Sequence, residues 1–223
     1  MKLKKLDDNF LLFTFHTQKD AVLTFFRVQE YYESPHDELN GKYFSEYDFL
    51  DACIDKHGRI DYFETFNGFN VPGESFVSWY EAVLEYGRFS PRERKLYTEV
   101  FDNVDKSNKF YVIGAMEKDK HTIKHEIAHA LYYFNDEYKV EADLITERFR
   151  SEFKKSHAKI EKELLKMYYS EFVLMDEVQA YLSSERRSFI KEAFNLTDWQ
   201  ITEISKYTNQ YKKLLHTYNN YET

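Results

Sequence analysis

The stretch Lys109-Phe-Tyr-Val-Ile-Gly-Ala115, followed after a short polar turn by His121-Thr-Ile-Lys-His-Glu-Ile-Ala-His-Ala-Leu-Tyr-Tyr-Phe134, decides how this chain is read. The first segment is β-branched and aromatic, is bounded by charge, and predicts a strand. The second carries Ile123, Ile127, Ala128, Leu131 and Phe134 at helical spacing, so it predicts an amphipathic helix. Asn135-Asp136 then suits the end of that helix and the N-cap of the next.

Inside the helix, His125-Glu126-Ile127-Ala128-His129 reads H-E-x-x-H. Residues four apart share a helix face, with Cβ atoms about 6 Å apart. Two imidazoles so placed can grip one zinc ion, with Glu126 turned towards a water on that ion. His121, one turn earlier, reads as a solvated histidine near the helix start.

A strand followed by an H-E-x-x-H helix resembles the zincin metallopeptidases, over roughly Lys109 to Phe134. In that family the strand lines the cleft and pairs with an extended peptide. The resemblance implies zinc held by His125 and His129, with Glu126 as general base. Catalytic zinc normally has a third protein ligand and one open position. Where the metzincin pattern has glycine and histidine, this chain has Tyr132 and Asn135; Cys53 does not match the deformylase cysteine and reads as a small core residue. The remaining arrangement is the gluzincin one, a downstream carboxylate. The preferred candidate is Glu177, 48 positions after His129 in Phe172-Val-Leu-Met-Asp-Glu-Val-Gln-Ala-Tyr-Leu182. An acid in so apolar a run needs a cation or a metal to offset its burial. The second candidate is Glu141, which an antiparallel turn at Asn135-Asp136 would bring back towards His129. Gluzincins often carry E-x-x-x-D, but Tyr181 stands four after Glu177. That departure leaves Asp176 to orient a histidine, or Tyr181 to stabilise an oxyanion.

Composition bounds the rest. With 223 residues, 43% hydrophobic and 18% aromatic, the chain can bury a sizeable core. Six glycines and three prolines argue for long helices and short loops, and one cysteine suits a reducing compartment. A net charge of −8 argues against nucleic acid or an anionic membrane as partner. No signal peptide or membrane span is evident, so the expected location is cytoplasmic, with a monomer as default.

Elsewhere the sequence predicts a strand at Phe10–Phe15, a helix over Ala21–Tyr32, a helix from Ser45 to Lys56, and a strand over Arg59–Phe66. Asn67-Gly-Phe-Asn-Val-Pro-Gly73 reads as a turn, and Ser90-Pro-Arg-Glu93 as a capping box opening a helix to Phe101. After the motif the pattern is all helical: Asp136–Glu152, His157–Tyr169, Asp176–Ser183, a run ending near Phe194, and Thr197–Tyr218 behind a second capping box.

The expectation is therefore a predominantly helical, zincin-like α+β fold. The 223 residues would form a single domain of two lobes: a small sheet and the active helix in residues 1–134, and a helical lobe in 135–223 that would supply the third ligand. The expected function is a zinc-dependent metallopeptidase acting on a peptide or protein substrate. Zinc would be held by His125, His129 and Glu177, with Glu126 and Tyr181 as catalytic residues. Two alternatives stand beside it: a non-peptidase zinc amidase or esterase, and a zincin-like binding or regulatory protein whose metal site is structural or inactive.

Overall fold

A computed structural model of the chain describes residues 1–57, 66–167 and 169–221. The strand expected at Arg59–Phe66 falls outside them apart from Phe66, and the Cys53 side chain is likewise outside the description. Among the described residues helix makes up 66%, beside one small mixed sheet, so this is a mainly helical α+β protein. It forms two compact units, Met1–Ile123 and Lys124–Thr223. The division lies inside the motif helix, whereas the sequence suggested it after Phe134. Among the described residues no helix is long and apolar enough to cross a membrane.

Among the described residues the first unit is built on four strands: β1 (Lys2–Asp7), β2 (Phe10–Phe15), β3 (Gly68–Pro72) and β4 (Tyr111–Met116), in the order β1-β2-β4-β3. β1 and β2 form an antiparallel hairpin, β3 pairs antiparallel with β4, and β2 lies parallel to β4, with Leu12 opposite Ile113. Parallel partners need a long crossover, and here it contains α1 (Gln18–Glu33), α2 (Glu46–His57), α3 (Gly73–Tyr86) and α4 (Pro91–Asn103). Thr17 caps α1 by accepting from Asp20 N–H. The expected capping box at Ser90 is present in full, with Pro91 at the first helical position.

Two elements correct the sequence reading. The block Asn67–Gly73 is not a turn: residues 68–72 form the edge strand β3, and Gly73 opens α3. Pro72 is tolerated because it ends an edge strand, while Phe69 and Val71 are fully buried. The basic start, to which the sequence assigned no element, is the opposite edge strand β1; its three lysines, Lys2, Lys4 and Lys5, blunt an otherwise open edge.

Leu11, Phe13 and Phe15 share one face of β2 because side chains alternate along a strand. Phe25 of α1 packs over that face, edge-on to Phe13 and Phe15 and stacked on Phe69 at 5.4 Å. It reaches the sheet through Gly114, where a Cβ would come within 2.6 Å of its ring. A buried ion pair ties α1 to α4: Arg27 Nε donates to Glu93 Oε1 at 2.6 Å, and the other oxygen of Glu93 closes the capping box on Ser90 N–H.

The second unit is helical: the body of α5 (Lys120–Phe134), then α6 (Asp136–Glu152), α7 (Lys154–Lys166), a 3₁₀ turn at Glu171–Val173, α8 (Leu174–Ser184), α9 (Arg187–Ala193) and α10 (Asp198–Tyr218). Asn135 caps α6 as expected, accepting from Tyr138 N–H, and Thr197 with Gln200 forms the second capping box. α7 begins and ends three residues earlier than expected, because Phe153 ahead of it offers no side-chain cap that the sequence would reveal. α10 buries Ile201, Ile204, Tyr207, Thr208, Tyr211, Leu214 and Leu215, a 3.6-residue stripe, and packs on α6 and α8. α8 is buried around most of its circumference, polar positions included.

Replacing Gly114 with Ala puts a methyl group into the Phe25 ring. Overpacking of this kind costs about 1–3 kcal/mol. The expected result is a matching loss in the denaturant midpoint of Gly114→Ala; an unchanged midpoint would contradict the close approach.

Candidate metal centre

α5 presents His125 and His129 one turn apart on one face, both buried, with Glu126 buried beside them. Their Nε2 atoms lie 3.1 Å from each other. α8 brings Glu177 to the same point: Oε1 is 3.4 Å from His129 Nε2, and Oε2 is 3.7 Å from His125 Nε2. Glu177 is 2% exposed, and its Oε2 has no hydrogen-bond partner among the described residues.

These distances test whether the residues fit a metal. A tetrahedral ion with bonds of about 2.0–2.1 Å holds its donors about 3.3 Å apart. Separations of 3.1, 3.4 and 3.7 Å bracket that value, and one donor atom from each of the three residues lies within 4.8 Å of the others. A carboxylate and two imidazole nitrogens at this spacing need a proton or a metal cation between them. The buried His125, His129 and Glu177 group can therefore hold a metal ion.

The outer nitrogens are held so that the inner ones face each other and Glu177. Ser184 Oγ donates to Ala180 O at 2.7 Å, so it is left to accept from His125 Nδ1–H at 3.4 Å. Asp176 Oδ2 lies 2.9 Å from His129 Nδ1, a charge contact off the ideal hydrogen-bond direction. Both arrangements put the proton on Nδ1 and leave the Nε2 lone pair for the metal. Burial by itself would push the His129 imidazole down, but the carboxylates of Asp176, Glu177 and Glu126 outweigh it and hold it well above the usual histidine range. Negative charge thus exceeds positive charge around this ring, and a metal ion would answer that surplus.

Of the other residues singled out in the sequence, Glu141 is exposed on α6, hydrogen-bonded by the Tyr218 hydroxyl at 3.2 Å, and takes no part in the cluster. Tyr181 lies against the site, its ring centroid 4.6 Å from that of His125 and its hydroxyl 3.1 Å from the Tyr169 hydroxyl. Burial, followed by the charge of Glu177, raises the Tyr181 phenol well above its ordinary value, so it stays protonated. The sequence reading missed Ser184, since a serine near a helix end carries no local sign of a partner on α5. It also missed Gln179, although a glutamine in the apolar run Val178-Gln-Ala-Tyr-Leu182 is a legible anomaly of the same kind as Glu177.

Comparison with protein-family models, with curated proteins and with solved structures gives no match.

The geometry of the cluster predicts about one metal ion per purified chain. His129→Ala is expected to weaken binding by roughly 100-fold or more, since losing a ligand should exceed the effect of losing a ligand's supporting contact. Elemental analysis with chelator competition measures both, and equal metal content in the two proteins would remove His129 from the site.

Proposed function

We propose that this protein is a zinc-dependent hydrolase of gluzincin-like type, most specifically a metallopeptidase. The observation that supports it is the convergence of the Glu177 carboxylate on the Nε2 atoms of an H-E-x-x-H pair, with all three residues buried. Glu126, adjacent to the first ligand and on the same helix, supplies the group that a hydrolytic site needs beyond its ligands.

His125, His129 and Glu177 would hold a zinc ion, which when bound would supply Lewis acidity and a water ionising near pH 7. Glu126 takes the proton of the attacking water and returns it to the leaving amine. Tyr181, kept protonated, is the nearby hydrogen-bond donor for an oxyanion developing on the scissile carbonyl. Ser184 and Asp176 keep the two imidazoles oriented while charge changes in front of them. The substrate in this reading is a peptide or protein, and the net charge of −8 argues against nucleic acid.

A second reading has an observation of its own. His125, Glu126, His129 and Glu177 are all buried, and the Tyr181 hydroxyl is already occupied by Tyr169. A closed site of this kind also suits a structural metal in a binding or regulatory protein.

Glu126→Gln separates the two. In the hydrolase, turnover of a peptide-library substrate should fall by roughly 10²–10⁴-fold, the usual contribution of a general base, while metal content stays at the wild-type level. Full turnover in the variant would sink the mechanism. Metal-loaded wild type that cleaves no member of a peptide, amide and ester panel would favour the structural site.

A further inference from the structure

The two carboxylate oxygens of Asp176 face different partners. Oδ2 lies 2.9 Å from His129 Nδ1, and Oδ1 accepts a 2.8 Å hydrogen bond from Gln179 Nε2, one turn further along α8. The amide oxygen of Gln179 accepts in turn from the Tyr138 hydroxyl at 2.7 Å. Gln179 and Tyr138 are both fully buried. Tyr138 sits in the first turn of α6, with its N–H held by the Asn135 side chain at 2.9 Å. A continuous polar chain therefore runs from the turn after the motif helix, through α8, to the outer nitrogen of one candidate ligand.

Each link constrains the next. A buried primary amide has two orientations, and the flipped one would set the Gln179 oxygen against the Asp176 carboxylate. The Tyr138 hydroxyl, donating to that oxygen, selects the orientation in which Nε2 faces Asp176. With Oδ1 tied to Gln179, the other oxygen of Asp176 is turned towards His129. The Oδ2 contact needs this help, since its direction is poor for a hydrogen bond and would not hold the carboxylate by itself. The core could be filled more simply: apolar side chains of the size of Gln179 and Tyr138 would stabilise a helical interior at least as well as this buried polar pair. The chain of donors is thus better explained by where it ends than by the stability it adds.

We propose that Tyr138 and Gln179 are positioning residues for the metal centre, holding Asp176 against His129 and thereby strengthening the hold of that imidazole on the ion. The proposal rests on the reading of His125, His129 and Glu177 as metal ligands.

The test is Zn²⁺ affinity of the full chain, measured by competition with a chromophoric chelator, alongside thermal unfolding of the metal-free protein. Wild type must bind first; if it takes up no Zn²⁺, the ligand reading and this proposal fall together. Given binding, Gln179→Glu keeps the length of the side chain and an acceptor for Tyr138, but sets an acceptor against Asp176. Its Zn²⁺ affinity should fall by about 10- to 100-fold, the range for losing an outer partner of a ligand. Tyr138→Phe, which removes a single oxygen and keeps the ring packed, should show a smaller loss in the same direction. The decisive readout is the combination with Asp176→Asn. If Tyr138 acts through Asp176, Tyr138→Phe has no further effect on affinity in that background. Losses that add in the double variant would overturn the proposal while leaving the ligand reading intact. So would a lowered melting temperature with unchanged affinity of the folded protein.

Discussion

A carboxylate buried beside two imidazoles is costly unless positive charge reaches it. Glu177, 2% exposed with one oxygen unpartnered, sets this requirement for the whole helical unit. α8 must lie close enough to α5 to put that carboxylate within 3.4 and 3.7 Å of the two Nε2 atoms. α6 and α10 in turn pack on α8, burying Glu177, Gln179, Ser183 and Ser184 and leaving Asp176 partly exposed. Each of those positions is then matched from within: Ser184 with His125 and Ala180, Asp176 with His129 and Gln179, and Gln179 with Tyr138. The cluster reads as a cation site because its geometry and its charge imbalance call for the same ion.

The first unit solves a different packing problem. Aromatic rings make up much of the core against its sheet, Phe13, Phe15, Phe25, Phe69 and Phe76 among them. Phe25 lies on Gly114 and touches three strand phenylalanines or their neighbours, so a residue without a side chain makes room for the largest apolar group near it. The buried Arg27–Glu93 pair is tolerable because both ends carry further bonds, to the backbone carbonyls of Phe44 and Arg88 on one side and to Ser90 N–H on the other.

Where local chemistry was strong, the elements were legible. Thr197-x-x-Gln200, Ser90-Pro-Arg-Glu93 and Asn135 each cap the helix expected of them, because a cap is an interaction between residues three apart. Asn67–Gly73 misled because glycine and proline mark a turn only when no partner strand is available; β4 provides one, and an edge position excuses Pro72. Lys2–Asp7 was illegible for the opposite reason, being too charged to look like a strand until β2 pairs with it.

The same division runs through the site. By itself the sequence determined the strand, the helix after it, and the pairing of His125 with His129 and Glu126, because four residues of helix place them on one face whatever the rest of the chain does. It also marked Glu177 as an acid out of place, while leaving Glu141 as a rival. Only the tertiary structure decided between the two. It packs α8 so that Glu177 converges on the imidazoles, and leaves Glu141 exposed beside Tyr218. Bringing together residues 48 positions apart depends on how the apolar faces of several helices fit, and no local spacing encodes that.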